Sequence, residues 1–182
     1  MRYSDTDRIY DELLLTRIQA GDRRAGERLA ARWHPRLMRT AYRLLRDQEQ
    51  ARITVQESWT GICKGWRGLR KPSRFPAWAY RILHNKCADH IRSNQREREI
   101  LNMAFEQTTP HGGVDKVSVD QAFGQLSGEH RVAATLYFSE GLTLAEIAEV
   151  TAVPLGTAKS RIFHARKQLQ AALTEQPDVE GE

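Results

Sequence analysis

A stretch near the C-terminus, Leu142–Arg166, decides the fold: it reads LTLAEIAEVTAVPLGTAKSRIFHAR. Thr143 and Glu146 have the spacing of a capping box, which predicts the start of a short helix. Thr151-Ala152-Val153 then predicts a turn, and the Pro154 that follows predicts a new helix start. Two short helices joined by a tight turn are typical of a helix-turn-helix.

The second helix of this motif carries bases and no acids. No acidic residue occurs from Thr151 to Thr174, whereas the nearest upstream acids all precede the turn. A helix of this charge suits the major groove of DNA, with its N-terminal residues near the base edges. A helical hairpin whose bases merely face water is the alternative; the turn and the acid-free helix together favour DNA binding.

The charge of the chain is unevenly divided between its two halves. Met1–Arg98 contains 22 Lys and Arg against 11 Asp and Glu, whereas the remainder contains 6 against 12. The halves therefore carry +11 and −6, within a total of +5. A basic module of this kind suggests a polyanionic partner, because phosphate neutralisation dominates nucleic-acid affinity.

Composition argues against several other classes of protein. Two cysteines, Cys63 and Cys87, are too few for a disulfide framework. The N-terminus has no apolar signal region, and no stretch approaches about 18 uninterrupted apolar residues. We therefore expect a soluble cytoplasmic protein. No P-loop, G-x-S-x-G or dinucleotide-binding pattern occurs, so we expect neither catalysis nor a cofactor.

Hydrophobic periodicity predicts an all-α fold. Helices are expected over about 6–20, from Asp22 with a bend or restart at Pro35, from Asp47 to Lys64, and over about 76–96. Asp47 and Gln50 are spaced as a second capping box. The expected inward positions are Ile9, Leu13, Ile18, Ala25, Leu29, Trp33, Leu37, Ala41, Leu44, Leu45, Trp78, Ile82 and Ile91.

The pattern divides the chain into two helical domains. The first spans 6–96 and the second 117–173. Between them, residues 97–116 include Pro110 and paired glycines in a polar stretch, which predicts a flexible linker. Residues 174–182 hold four acids and no base, which predicts a disordered acidic tail.

The first domain contains a basic stretch rich in aromatic residues. Ser58–Ala88 has seven bases and no acid, interleaved with Trp59, Trp66, Phe75, Trp78 and Tyr80. This combination suits single-stranded DNA, because rings stack on unpaired bases while cations follow the phosphates. At least two of the five aromatics are expected to be structural, since aromatic residues in helices are more often packed in cores.

With these two motifs in hand, the chain resembles the group IV (extracytoplasmic-function, ECF) RNA polymerase sigma factors. Pro154–Arg166 is similar to their region 4, with Leu126, Arg131, Leu136 and Gly141-Leu142-Thr143 upstream. The resemblance implies that this region binds the −35 promoter element. The residues so implied are Thr157, Lys159, Ser160, Arg161, Phe163, His164, Arg166 and Lys167. Ala152 stands where the family commonly has Gly.

Phe75–Arg92, FPAWAYRILHNKCADHIR, is similar to regions 2.3–2.4 of the same family. There the family places a polar residue that reads a flipped base of the −10 element, and Asn85 falls at that position. The preceding loop, about Trp66–Arg74, matches the loop that receives this base. The implied −10 residues are Trp66, Arg67, Arg74, Trp78, Arg81, Asn85, Lys86 and Arg92.

The stretch 51–57, ARITVQE, resembles region 2.2, which in the family docks on the clamp helices of the largest polymerase subunit. The polymerase-binding residues so implied are Leu45, Ala51, Val55, Gln56, Glu57 and Trp59. The family usually carries an acidic pair directly after the Ala. Here those positions are Arg52 and Ile53, which predicts a weaker contact or a divergent subgroup.

The resemblance implies a sigma factor that directs core RNA polymerase to promoter DNA and is held inactive by an anti-sigma protein. Two alternatives remain open: a helix-turn-helix regulator that binds operators without polymerase, and a sigma-like adaptor that does not initiate transcription. A metal site at His84, Cys87 and His90 is disfavoured, because His90 lies about 120° from His84 around a helix.

Overall fold

The computed structural model describes residues 3–102 and 119–174, which are helical and contain no β-strand. The all-α prediction is confirmed. The helices are α1 (Asp5–Gln19), α2 (Arg23–Leu45), α3 (Gln48–Gly65), α4 (Phe75–Asn102), α5 (Val119–Gln125), α6 (Gly128–Ala134), α7 (Leu144–Thr151) and α8 (Leu155–Thr174). Two 3₁₀ turns, Trp66–Gly68 and Pro72–Arg74, join α3 to α4, and a π-helical turn, Thr135–Ser139, follows α6. The predicted linker falls largely, and the tail almost wholly, outside the described residues.

Helix α1 buries a different face from the one expected. Leu14, Leu15 and Ile18 are buried, together with Asp11, whereas Ile9 and Leu13 are 68% and 48% exposed. The expectation for Ile9 and Leu13 was therefore wrong. The reason is the buried Asp11 carboxylate, which orients the helix because it accepts hydrogen bonds from three side chains. The donors are Tyr3 Oη at 2.7 Å, Trp33 Nε1 at 2.7 Å and Arg32 Nε at 3.0 Å.

Helix α2 begins at the predicted cap, where the Asp22 carboxylate accepts from the Ala25 amide at 3.2 Å. Its stripe through Leu29 and Trp33 is fully buried, as predicted. The helix does not restart at Pro35 and continues to Leu45. Pro35 lies on the exposed side of α2, where water can satisfy the carbonyl that loses its helical partner.

The boundaries of α3 and α4 depend on their first residues. Asp47 caps α3, but the Gln50 side-chain oxygen has no hydrogen-bond partner, so the reciprocal half of the predicted capping box is not formed. Helix α4 is longer than predicted and continues to Asn102. Ile91 is 40% exposed rather than inward, because it lines the open groove between α4 and the second domain.

The C-terminal domain contains the predicted helix-turn-helix, α7 and α8. The capping box at α7 is reciprocal: the Thr143 hydroxyl accepts from the Glu146 amide at 3.2 Å, and the Glu146 carboxylate accepts from the Thr143 amide at 2.8 Å. Ala152 ends α7 in the left-handed region, with φ of 53°. This conformation explains why the resembled family commonly carries Gly at that position.

The two domains pack against each other and share a hydrophobic core. One continuous cluster extends from Leu15, Leu29 and Trp33 of the first domain to Ile147 and Ala158 of the second. Helix α7 lies against α4, and the π-helical turn lies against α2. A smaller cluster lies between α5, α6 and α8. We refer to this packed arrangement as the closed conformation.

The closed conformation also contains buried ionic and polar contacts between the domains. Glu140, 2% exposed, accepts from Thr40 Oγ1 at 2.9 Å, from Arg36 at 3.3 Å and from the Tyr80 hydroxyl. Arg8 of α1 donates to both carboxylate oxygens of Glu146, at 2.9 and 3.2 Å. Bases of the first domain are therefore paired with acids of the second. Among the described residues, no helix has the length and apolarity needed to cross a membrane.

Candidate nucleic-acid interfaces

The outer face of α8 presents the predicted −35 residues. Ala158, Ile162, Ala165 and Leu169 are buried at helical spacing against the rest of the domain. The remaining positions therefore face outward. The exposed residues among those predicted are Lys159, Ser160, Phe163, His164, Arg166 and Lys167, and Thr157 is half-buried. This face brings three basic side chains and two rings together along about two and a half turns of helix.

Aromatic and basic side chains form a linked row on this face. Phe163 is 55% exposed, and the Lys167 ammonium lies 4.8 Å from its ring centroid. His164 contacts Phe163 edge-on at 5.5 Å and stacks on His130 of α6 at 5.9 Å. An exposed ring held by a cation suits contact with a thymine methyl group or a sugar.

Arg161 is arranged differently from its neighbours on α8. Its side chain is only 19% exposed and donates to the Glu129 carboxylate of α6 at 2.8 Å. It also lines the groove between the two domains. Arg161 is therefore occupied within the closed conformation, while Arg166 and Lys167 remain exposed.

Helix α4 presents the predicted −10 residues along one face. Arg81, Asn85 and Arg92 are exposed and spaced at four and seven residues, which aligns them on one side of the helix. Arg92 pairs with Asp89 at 2.8 Å within the same helix. Lys86 points toward α3, where its ammonium lies 3.3 Å from the Glu57 carboxylate. The predicted −10 surface thus adjoins the predicted polymerase-binding surface.

The loop before α4, Trp66–Arg74, presents bases and packs its aromatic ring inward. Arg67, Arg70, Lys71 and Arg74 are exposed, whereas Trp66 is half-buried against the core. Trp78, at the start of α4, is also half-buried. Arg74 is paired with Glu149 of α7 in the second domain. One predicted −10 residue is therefore neutralised by the other domain in the closed conformation.

Only part of the predicted polymerase-binding set reaches the surface. Ala51 and Val55 have 0% exposure, so their side chains belong to the core beneath α3. Their inclusion as contact residues is corrected on that ground. Gln56 and Glu57 are exposed, Leu45 and Trp59 are half-buried, and Trp59 Nε1 donates to His34 Nδ1 at 3.2 Å. The surface available to a partner is centred on Gln56 and Glu57.

Arg52, which replaces the first acid of the resembled motif, also lies on this surface. Its guanidinium is 60% exposed and forms a two-bond pair with Glu49, at 2.6 and 3.1 Å. Ile53 is half-buried. Helix α3 therefore presents a basic residue, neutralised by Glu49, where the resemblance to region 2.2 implies an acid.

Sequence reasoning missed the residues that join the domains. No sequence motif contains Glu140, Arg36 or Arg8. Only the charge asymmetry of the two halves of the chain indicated that opposite charges could pair. Burial raises the pKa of Tyr80 well above its ordinary value, and the nearby Glu140 carboxylate adds to that effect. Burial alone would raise the pKa of Glu146, but hydrogen bonds from Arg8 and Thr143 outweigh it and lower that pKa below 4.5.

A groove of about 380 Å³ lies between α4 and the second domain. His84 and Cys87 line it, opposite Glu129, Val153 and Arg161. Burial lowers the pKa of His84, and the nearby Arg161 guanidinium lowers it further. Burial raises the pKa of Cys87 to about 12, which keeps the thiol protonated and a poor metal ligand.

Comparison with known proteins places this geometry in a family. Residues 29–97 match the family model for sigma-70 region 2, and residues 116–169 match that for sigma-70 region 4. The chain is 29% identical to the RNA polymerase sigma-H factor of Pseudomonas aeruginosa, covering 90% of this chain and 93% of that protein. It is 31% identical to the ECF RNA polymerase sigma factor SigL of Mycobacterium tuberculosis, covering 76% and 83% respectively.

Two solved structures share the fold, each at 24% identity. The sigma factor RpoE of Bartonella quintana, in complex with the anti-sigma factor NepR, matches with a TM-score of 0.70 over 83% of this chain and 98% of that one. CnrH, in complex with the cytosolic domain of CnrY, matches with a TM-score of 0.67 over 92% and 99%. From the region 2 and region 4 matches and the identity to SigL, we conclude that the chain belongs to the ECF sigma factors, the promoter-specific initiation factors of RNA polymerase.

Proposed function

We propose that this chain recognises a promoter in two parts, with its first domain capturing the −10 strand and its second domain binding the −35 duplex. The observation that carries the proposal is the presence, on one chain, of two exposed basic faces on different elements: the loop and α4 on one domain, and α8 on the other. The chain acts as a DNA-binding initiation factor without catalytic activity of its own, and it works in the cytoplasm, where its polymerase lies.

The outer face of α8 is proposed to bind the −35 element. Lys159 and Ser160 lie near the start of the helix, where residues reach base edges in the major groove. Arg166 and Lys167 lie farther along and are suited to backbone phosphates. Phe163, held by Lys167, supplies an apolar contact to bases. Arg161 can contact DNA only after its ion pair with Glu129 is broken.

The exposed face of α4 and the preceding loop are proposed to bind the −10 element as a single strand. Asn85 is exposed and can donate and accept at the edge of one base, while Asp89, four residues further along the same face, is paired with Arg92. The guanidinium groups of Arg67, Arg81 and Arg92 are suited to contact the backbone phosphates of this strand. The neighbouring Gln56 and Glu57 of α3 are proposed to contact the clamp helices of core polymerase.

The closed conformation must open for both elements to be bound together. Elements centred near −10 and −35 lie about 25 base pairs apart, or roughly 85 Å along straight duplex. A compact chain of 182 residues has a radius of gyration of only about 16 Å. Opening breaks the contacts of Glu140 and releases Arg74 from Glu149. Core polymerase is proposed to stabilise the open form.

An anti-sigma protein is proposed to stabilise the closed form. Of the two solved structures that share the fold, that of RpoE contains the anti-sigma factor NepR, and that of CnrH contains the cytosolic domain of CnrY. A partner that binds only the closed form shifts the population toward it in proportion to that preference. For this chain, the preference requires a surface that spans both domains.

Run-off transcription tests the proposal. Core polymerase from the same source is combined with this protein and a library of promoters. We expect protein-dependent transcripts that are lost with Asn85→Ala and reduced with Lys159→Ala. The matched controls are Gln95→Ala, which removes an exposed amide from the same helix, and Arg28→Ala, which removes an exposed base remote from both faces.

The outcomes separate the candidate functions. Protein-dependent starts with unaffected controls support two-part promoter recognition. A protein that binds duplex operators tightly without polymerase is a regulator of another kind. A protein that binds neither core enzyme nor DNA, yet captures an anti-sigma factor, is an adaptor. Either of the last two results overturns the proposal.

A further inference from the structure

The loop Trp66–Arg74 has no regular hydrogen bonding of its own beyond two short 3₁₀ turns. A loop of nine residues that is mostly exposed loses considerable entropy when it is ordered on DNA. A loop that reads a base therefore gains affinity and specificity if the protein holds it in place beforehand. The question is which contacts hold this one.

The ring of Trp66 packs against α2 at Gly26. A Cβ atom at position 26 would lie 3.2 Å from Cη2 and 3.5 Å from Cζ2 of the indole. Gly26 is buried within a regular helix, where glycine costs about 1 kcal/mol relative to alanine. Glycine here makes room for the ring, and Trp66 anchors the start of the loop.

A second contact holds the middle of the loop. The Gln19 side chain, at the end of α1, donates from Nε2 to the Leu69 carbonyl oxygen at 2.8 Å. Leu69 itself is half-buried against the core. The loop is thereby held by α1 as well as by α2. Its exposed basic residues Arg67, Arg70 and Lys71 lie on a backbone that is fixed at two points.

A third contact holds the junction with α3. The Trp78 ring lies directly over Gly65, where a Cβ atom would be only 2.6 Å from Cζ2. Trp78 in turn lies 6.0 Å from Phe75, between ring centroids, and Phe75 packs edge-on against the core Trp33 at 4.9 Å. Both tryptophans of the predicted −10 set are thus used to shape the loop.

Resting on the proposed −10 function, we propose that Gln19 and Gly26 are positioning residues that determine base preference at the −10 element without touching DNA. They do so by holding the backbone of Trp66–Arg74 in the conformation that receives the base. On this basis Trp66 is an anchor of the loop and not a stacking platform. The loop contacts DNA through its backbone and its exposed basic side chains.

Two variants test the proposal. Gly26→Val places methyl groups where the Trp66 ring lies. Gln19→Glu keeps the side-chain size and replaces the donor with an oxygen that faces the Leu69 carbonyl. The controls are Gly61→Ala, whose added Cβ meets Ile82 at an ordinary 3.4 Å, and Gln48→Glu, which makes the same charge change at an exposed position of α3.

The first measurement is hydrogen–deuterium exchange on the free full-length protein. We expect the amides of Trp66–Arg74 to exchange about tenfold faster in both variants, which corresponds to about 1.4 kcal/mol of local opening. The α3 and α8 amides should be unchanged, and the controls should match the original protein. Unchanged loop exchange in Gly26→Val overturns the proposal, whatever the transcription result.

The second measurement is base preference in transcription with core polymerase and a library randomised in the −10 element. We expect preference at the position read by the loop to fall about threefold or more in both variants, with preference in the −35 element unchanged. Faster loop exchange without any change in −10 preference overturns the proposal. If the original protein starts no transcripts at all, the −10 function fails, and this inference fails with it.

Discussion

At the scale of single residues, Glu140 has the most demanding environment. Its carboxylate is 2% exposed and is shared by Thr40, Arg36 and Tyr80 of the other domain. A buried acid of this kind is stable only while its donors are in place, because desolvation of an unpaired charge costs several kcal/mol. The closed conformation therefore depends on a residue that no motif identifies.

We expect Glu140→Ala to lower the free energy of unfolding by about 3 kcal/mol, because it leaves the Arg36 guanidinium buried without its carboxylate. Urea unfolding followed by circular dichroism measures the loss. The matched control is Glu49→Ala, which breaks the solvent-exposed pair with Arg52 and should lower the free energy of unfolding far less than Glu140→Ala. Equal losses for both substitutions would contradict this account of Glu140.

The backbone conformation of Ala152 leads to a second prediction about a single residue. Its φ of 53° is unfavourable for a residue with a Cβ atom, by roughly 1–2 kcal/mol. We expect Ala152→Gly to stabilise the protein by about 0.5–1 kcal/mol after the greater flexibility of the unfolded glycine is subtracted. Thermal unfolding checks this. Ala31→Gly, at an exposed position within α2, should destabilise by a similar amount.

At the scale of the elements, the charge of α3 bears on its proposed contact with core polymerase. The helix presents Arg52, paired with Glu49, where the resemblance to region 2.2 implies an acid. We expect Arg52→Glu to strengthen binding to core polymerase about three- to tenfold, because it restores the charge pattern of the docking face. Fluorescence anisotropy of labelled protein with core enzyme measures the dissociation constant. Arg28→Glu on α2 makes the same charge change away from this face and should have no effect.

Helices α7 and α8 show how one element serves two states. In the closed conformation, α7 packs on α4 and its Glu149 holds Arg74. Part of the buried face of α8 is covered by its own domain and not by the first one, since Ala165 and Leu169 pack in the smaller cluster with α5 and α6. The proposed −35 face of α8 therefore keeps support from its own domain after opening, whereas the proposed −10 loop loses the pairing of Arg74 with Glu149.

At the scale of the whole molecule, the balance between closed and open forms depends on pH. His84 faces Arg161 and Glu129 of the second domain, and its pKa in the closed form lies below 6.5. The stability that neutral His84 contributes is therefore complete above pH 6.5 and is lost as pH falls toward its lowered pKa. We expect fractional opening to rise as pH falls below 6.5, because the buried, protonated His84 is poorly solvated and is repelled by Arg161.

Energy transfer between dyes on exposed positions of α2 and α8 measures this opening across the pH range. His84→Gln should flatten the profile, since it removes the titrating group and keeps a polar side chain in the groove. His90→Gln, on the same helix, serves as the control and should leave the profile unchanged. A profile that is flat in the original protein would rule out His84 as the source of the pH dependence.

Much of the fold could be predicted from local patterns. The capping residues Asp22, Asp47 and Thr143 were identified because N-cap chemistry acts over three residues. The α8 face followed from its lack of acids, and the basic loop from its composition. Ile9, Leu13 and Ile91 were assigned inward wrongly, because apolar spacing alone does not say which face the neighbouring helices cover.

The sequence by itself determined the helices, their caps, the family and the two basic faces, since these depend on neighbours within a few turns and on net charge. Only the tertiary structure decided which residues are buried and which bases are already paired. Glu140 with Arg36, and Gly26 with Trp66, lie far apart along the chain. The structural role of each pair depends on packing between elements, which the local hydrophobic periodicity does not reveal.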